Sequence, residues 1–149
     1  MRYQRIFTNI WQDEKVLQLS EDGRLLFFYM LTSPHSNSLG LYVLPKQYIL
    51  GDLGWDMKRL DEPFAELISQ ELIDYDGESR LVLVENHLKH NPIENENQAK
   101  ANLKLIEKMP KSYLYSKVIS KLNQRMKPFH EGLLKQLKEK LLPEPWSDS

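Results

Sequence analysis

Lys100, Lys104 and Lys108 recur every four residues, and Lys117, Lys121 and Arg125 repeat the interval further along the chain. In a helix that spacing lines each set along one face. The chemistry open to such stripes is phosphate recognition, which needs positive charge and little else. The plainer alternative is that the lysines solvate the outer faces of amphipathic helices. Lys111 and Lys127 extend the patch and keep phosphate contact in play. Lys58, Arg59, Arg80 and Lys89 are further candidate contacts: Lys58 and Arg59 stand just before an expected helix, where backbone amides also favour phosphate.

The overall charge hides this distribution. Twenty basic residues against 21 acidic ones leave a net charge of −1, an unpromising total for a polyanion partner. Between Asp61 and His90, however, eight acidic residues face only Arg80 and Lys89, whereas between Asn91 and Lys127 eight basic residues face Glu94, Glu96 and Glu107. The chain is electrically polarised.

Other chemistries find little support. Without cysteine there are no disulfides and no thiolate metal sites. His87 and His90, with Glu85 nearby, are spaced as two helical metal ligands would be. No further His or Cys completes a four-ligand set in sequence, and Leu88 beside Pro92 suggests a strand exit, so no metal is expected. There is no glycine-rich phosphate loop and no nucleophile elbow, and no cofactor or catalytic residue is assigned. The first residues lack an apolar signal core and no apolar run approaches a membrane span, so the expectation is a cytoplasmic, non-enzymatic protein away from membranes.

The elements that must position these cations can be read along the chain. At 149 residues and 41% apolar content the chain can bury one sizeable core. Phe7, Ile10 and Trp11 are expected to dock an N-terminal segment, with Trp11 as a packing anchor. Ser20 followed by Glu21 and Asp22 starts a helix to Leu31 that is apolar nearly all round and belongs in the core. A polar loop from Thr32 to Ser38 leads to an apolar strand at Gly40 to Leu44. Pro45 opens a short helix with Tyr48, Ile49 and Leu53 on one face, stopped by Gly54. Pro63 is tolerable only in a first turn, which starts the next helix at Asp61 with Phe64, Leu67, Ile68 and Leu72 inward.

Ile73 to Tyr75 and Arg80 to Val84 flank Asp76-Gly77, a hairpin signal. Beyond it, one helix ends before Pro110, another is capped by Ser112 with Leu114, Val118, Ile119 and Leu122 inward, and a last one starts at Pro128. Its Phe129, Leu133, Leu134, Leu137 and Leu141 form an apolar seam. The order of helix, strand, two helices and hairpin is the outline of a winged helix-turn-helix domain. The fold expected is mainly α with a small β-hairpin, comprising a winged-helix domain over 1–90, a helical extension over 91–142 and a tail over 143–149. The acidic residues Asp61, Glu62, Glu66 and Glu71 make the expected third helix an unusual groove reader.

Arg5 to Trp11, Tyr29 to Asn37, Gly40 to Pro45, Leu88 to Pro92 and Lys127-Pro128-Phe129 together resemble the N-terminal region of phage and prophage replication proteins, replisome organisers related to the primosomal protein DnaD. The resemblance implies a winged-helix domain that binds DNA at a replication origin, or makes protein contacts that assemble the replisome and recruit a helicase loader. The leading expectation is DNA held mainly through phosphates by a protein that can self-associate. Alternatives are an interaction module whose C-terminal seam binds a partner, and a winged-helix transcription regulator.

Overall fold

The structure, a computed structural model, describes residues 2–145. It is mainly helical, with a small three-stranded antiparallel sheet. A 3-10 turn at Thr8–Gln12 precedes α1 (Glu14–Leu17), whose N-terminal amides at Lys15 and Val16 are accepted by the Asp13 carboxylate. Ser20 caps α2 (Glu21–Thr32) by accepting from the Gly23 amide. This cap is itself held from a distance, because Glu66 accepts from the Ser20 amide at 2.7 Å and from its hydroxyl at 2.6 Å.

The sheet follows from three short apolar runs. Strand β1 (Leu41–Val43) pairs with β3 (Leu81–Val84), which pairs in turn with β2 (Ile73–Asp76), giving the order β1-β3-β2. Between β1 and β2 lie α3 (Lys46–Leu53), closed by Gly54 at φ 71°, and α4 (Met57–Ser69). Strand residues alternate between faces, so Tyr42, Val82 and Val84 join a core with α2, α3 and α4, while Leu41, Leu81 and Leu83 point the other way.

The far face of the sheet is covered too. Leu41, Leu81 and Leu83 pack with Ile106, Tyr115, Val118, Leu122, Leu133 and Leu137 in a second core. These come from α6 (Glu96–Glu107), α7 (Tyr115–Asn123) and α8 (Glu131–Lys140), which follow the short α5 (His87–His90). All four residues of β3 are therefore buried, the pattern of a strand covered on both faces. The sheet is the middle layer, and residues 91–142 roof a surface that the preceding part leaves apolar.

Several expectations need correction. The helix expected from Asp61 begins at Met57, where Asp56 caps it by accepting from the Arg59 amide at 2.8 Å. Pro63 consequently lies inside α4; it removes one backbone donor, and burial of Leu60, Phe64 and Leu67 on the core face outweighs that loss. Ile68 and Tyr48, expected inward, are 40% and 49% exposed, and Phe28 is half-buried. Trp11 is 62% exposed; it rests on the Phe28 ring at 5.1 Å without entering the core.

The hairpin crosses Asp76-Gly77 as expected, but the left-handed residue is Arg80, at φ 61°. Ser112 does not cap α7, whose N-cap is Leu114; its hydroxyl accepts from the Leu114 amide and donates to Asp76. Leu133 and Leu137 are buried within the chain, so only Leu141, of the seam residues, stays exposed. Leu141 is pinned beside Ser112 by a parallel bridge, the chain continues without regular structure through Pro145, and Trp146 to Ser149 lie outside the described residues.

Candidate functional site

The cations singled out in the sequence do not act as one surface. Lys89 from α5, Lys117 and Lys121 from α7, and Arg125 just past its end line a groove of about 530 Å³ whose floor includes Glu85, Asn86 and Leu88. Two long-range features bring them together. The second core seats α7 against the sheet, and β3 ends at Val84, delivering Glu85 and then α5 to the same edge.

Glu85 is the hub. Lys117 Nζ donates to its Oε1 at 2.6 Å and lies 2.9 Å from Asp74 Oδ2, while Lys121 Nζ stands 3.9 Å from Glu85 Oε2. Burial lowers the pKa of Lys117, but hydrogen bonds to Glu85 and Asp74 outweigh it, and its ammonium is held above the ordinary lysine value. Lys121 goes the other way. Burial pushes its ammonium down, Glu85 opposes that at longer range, and repulsion from Lys117, Lys89 and Lys15 adds to the fall. The cluster thus holds more positive charge than its two carboxylates neutralise, around a half-buried lysine whose charged form an added anion would stabilise.

The remaining cations are placed elsewhere. Arg59 is engaged by Asp22 through two hydrogen bonds of 3.0 and 3.1 Å, with its guanidinium 4.6 Å above the Trp55 ring. Lys58 is exposed in the first turn of α4, inside the helix and not ahead of it. Arg80 is exposed on the hairpin. Lys100, Lys104 and Lys108 are exposed along α6 and its C-cap, with Lys100 in an ion pair of 3.4 Å to Glu96. Lys111 is exposed beside the Ser112 bridge.

The histidine pair serves structure. His87 Nε2 donates to the Ser38 carbonyl at 2.9 Å, and the ring lies so close to Gly40 that a Cβ there would sit 2.4 Å from the His87 Cβ. His90 meets the edge of Phe7. Among the described residues no group of three or more His, Asp or Glu is gathered as a metal site. Periodicity does not reveal Asp74, which pairs with Lys117 from β2, or Lys15, whose charge acts on Lys121 from α1, and it offers Glu85 only as a metal ligand. The local excess of lysine is the available signal.

Among the described residues no helix is long and apolar enough to cross a membrane. No family model, no curated protein and no solved structure matches the chain.

Proposed function

We propose that this chain is a non-catalytic DNA-binding protein of phage-type replication initiation, holding DNA chiefly through its phosphates. One observation carries the reading: Lys89, Lys117, Lys121 and Arg125 converge on a single groove in which cations outnumber carboxylates. Phosphate contact neutralises such a cluster and releases counterions, which makes binding strong at low salt and weakly selective. The order helix, strand, two helices and two strands supports a winged-helix reading of residues 1–90, and the resemblance to replisome organisers supports a cytoplasmic replication setting. In this reading the chain acts as an adaptor that carries a helicase loader or another replisome protein to DNA.

Base readout by α4 does not belong to the proposal. Asp61, Glu62 and Glu71 are exposed there or at its end, and Arg59 is already engaged by Asp22. A second reading, as an interaction or oligomerisation module, is favoured by the exposed aromatics Phe7 and Trp11 beside α2. Solution mass at rising concentration checks it; a mass fixed at the monomer value and unaffected by Trp11→Ser excludes self-association through this patch.

Gel-shift and anisotropy titrations of duplex and single-stranded DNA at low ionic strength test the main reading. Changing Lys117, Lys121 and Arg125 to Glu together is expected to abolish binding. Changing Lys100, Lys104 and Lys108 to Glu should weaken it less and equally for all sequences, while Glu131→Gln leaves it unchanged. Absence of binding by the wild type overturns the proposal.

A further inference from the structure

The cationic groove continues into a second arm. Leu88, Lys121 and Arg125 line both the groove and a neighbouring cavity of about 280 Å³, whose other walls include Pro92, Ile93, Leu122 and Phe129. The two form one cleft, charged at one end and largely apolar at the other, with Glu94 and Lys127 also on the apolar arm. Phe129 is half-buried, and its ring meets His130 edge-on at 4.6 Å. His130 holds that wall in place: its Nδ1 accepts from the Lys127 amide, which leaves the proton on Nε2 to donate to the Ile93 carbonyl at 2.9 Å.

We propose that this cleft takes single-stranded DNA, with phosphates along Lys89, Lys121 and Arg125 and one base laid in the apolar arm against Phe129. The inference rests on the DNA-binding reading above and specifies the strand form. Charge complementarity selects a polyanion, because Lys89, Lys117, Lys121 and Arg125 line the charged arm against Glu85, with Asp74 paired to Lys117. Shape selects the single strand. A duplex is read by an element that enters its major groove, whereas here the cations line a recess, and α4 offers exposed Asp61 and Glu62 with Arg59 already engaged by Asp22. The apolar arm agrees, since a base paired inside a duplex cannot reach Phe129, while an unpaired base offers its face to any aromatic ring beside a cationic track.

The test measures anisotropy of a fluorescein-labelled oligothymidylate of about 20 nucleotides, and of a duplex of equal length, with the full chain at low salt. The single strand is expected to bind at least tenfold more tightly. Phe129→Leu should reduce single-strand affinity fivefold or more and leave duplex affinity within twofold. Where Phe129→Leu lowers the melting temperature, Arg125→Glu at an exposed position replaces it, with a tenfold loss expected on the single strand. Duplex binding equal to or tighter than single-strand binding overturns this inference while leaving the DNA-binding reading standing, and so does single-strand affinity unaffected by the variant used. No binding to either probe overturns both.

Discussion

Asp22 at the start of α2 grips Arg59 in the first turn of α4 through two hydrogen bonds, and this pair decides how α4 presents itself. Each oxygen of the carboxylate takes one guanidinium N–H, so the Arg59 donors aligned for a phosphate are already used. The interaction raises the Arg59 pKa and lowers that of Asp22, chiefly through the hydrogen bond itself.

Asp22→Asn should therefore release Arg59. Duplex DNA affinity at low salt is expected to rise severalfold, with the salt slope steeper by about 0.9 for the one additional phosphate neutralised. The melting temperature should hardly move, because the pair is largely exposed and screened. Unchanged affinity in a competition gel shift would show that α4 faces away from DNA.

Gly40, just before β1, has the closest surroundings of the glycines. Its φ of 76° and the His87 side chain leave no room for a Cβ. Gly40→Ala should cost on the order of 2 kcal/mol or more, combining left-handed strain with overpacking. Urea unfolding measures it; a variant within a few tenths of the wild type would mean that the chain relaxes around His87.

Each core layer can be tested by one truncation. Phe64→Ala empties the layer above the sheet, and Leu137→Ala the layer below. Losses of about 3 to 5 and 2 to 5 kcal/mol respectively are expected for buried side chains of these sizes. Removing the chain from Pro128 onward should lower the melting temperature markedly and expose apolar residues of α6 and α7, against which the last helix packs. An unchanged melt would separate the last helix from the fold.

Acid should destabilise the protein in two stages. Burial pushes the His87 imidazole below the usual histidine range, with the Ser38 carbonyl opposing and His90 adding to the fall. Its contribution is complete above the unfolded value of about 6.5 and is lost as pH falls from there through the lower folded value. For Asp76, burial favours the acid form, but hydrogen bonds from the Ser112 and Ser79 hydroxyls and the Glu78 and Ser79 amides outweigh it and depress the pKa. That contribution is present above about 3.9 and fades as pH drops through the folded value. In denaturant titrations from pH 8 to pH 3, His87→Asn should flatten the first decline and Asp76→Asn the second. A first stage that persists in His87→Asn assigns it to another group.

Local signals in the sequence are legible where a neighbour within a few residues supplies the partner. Ser20 as a cap, Gly54 as a stop and the Asp76-Gly77 hairpin all follow from such short-range chemistry. Pro63 misleads because its local cost is visible in sequence, whereas the burial of Leu60, Phe64 and Leu67 that sustains the helix through it is not. Lysine spacing shows which residues share a helix face, but not what meets that face. Glu85 reaches Lys117 across 32 positions and Asp22 reaches Arg59 across 37, and such pairings leave no trace in periodicity. The unbroken apolar run Leu81 to Val84 is the one local sign that the sheet is covered twice.

Phosphates held at the groove around Lys121, as proposed, should release counterions and make DNA affinity depend on salt through that residue. The most direct measurement is the slope of log affinity against log salt for a duplex and a single strand, comparing the wild type with Lys121→Gln/Arg125→Gln. A linear fall with salt is expected, with a slope shallower by about 1.8 on duplex and about 1.4 on single strand in the double variant, for two phosphates no longer neutralised. A wild type that binds neither DNA at low ionic strength, or a double variant with an unaltered slope, would rule out phosphate binding at this groove.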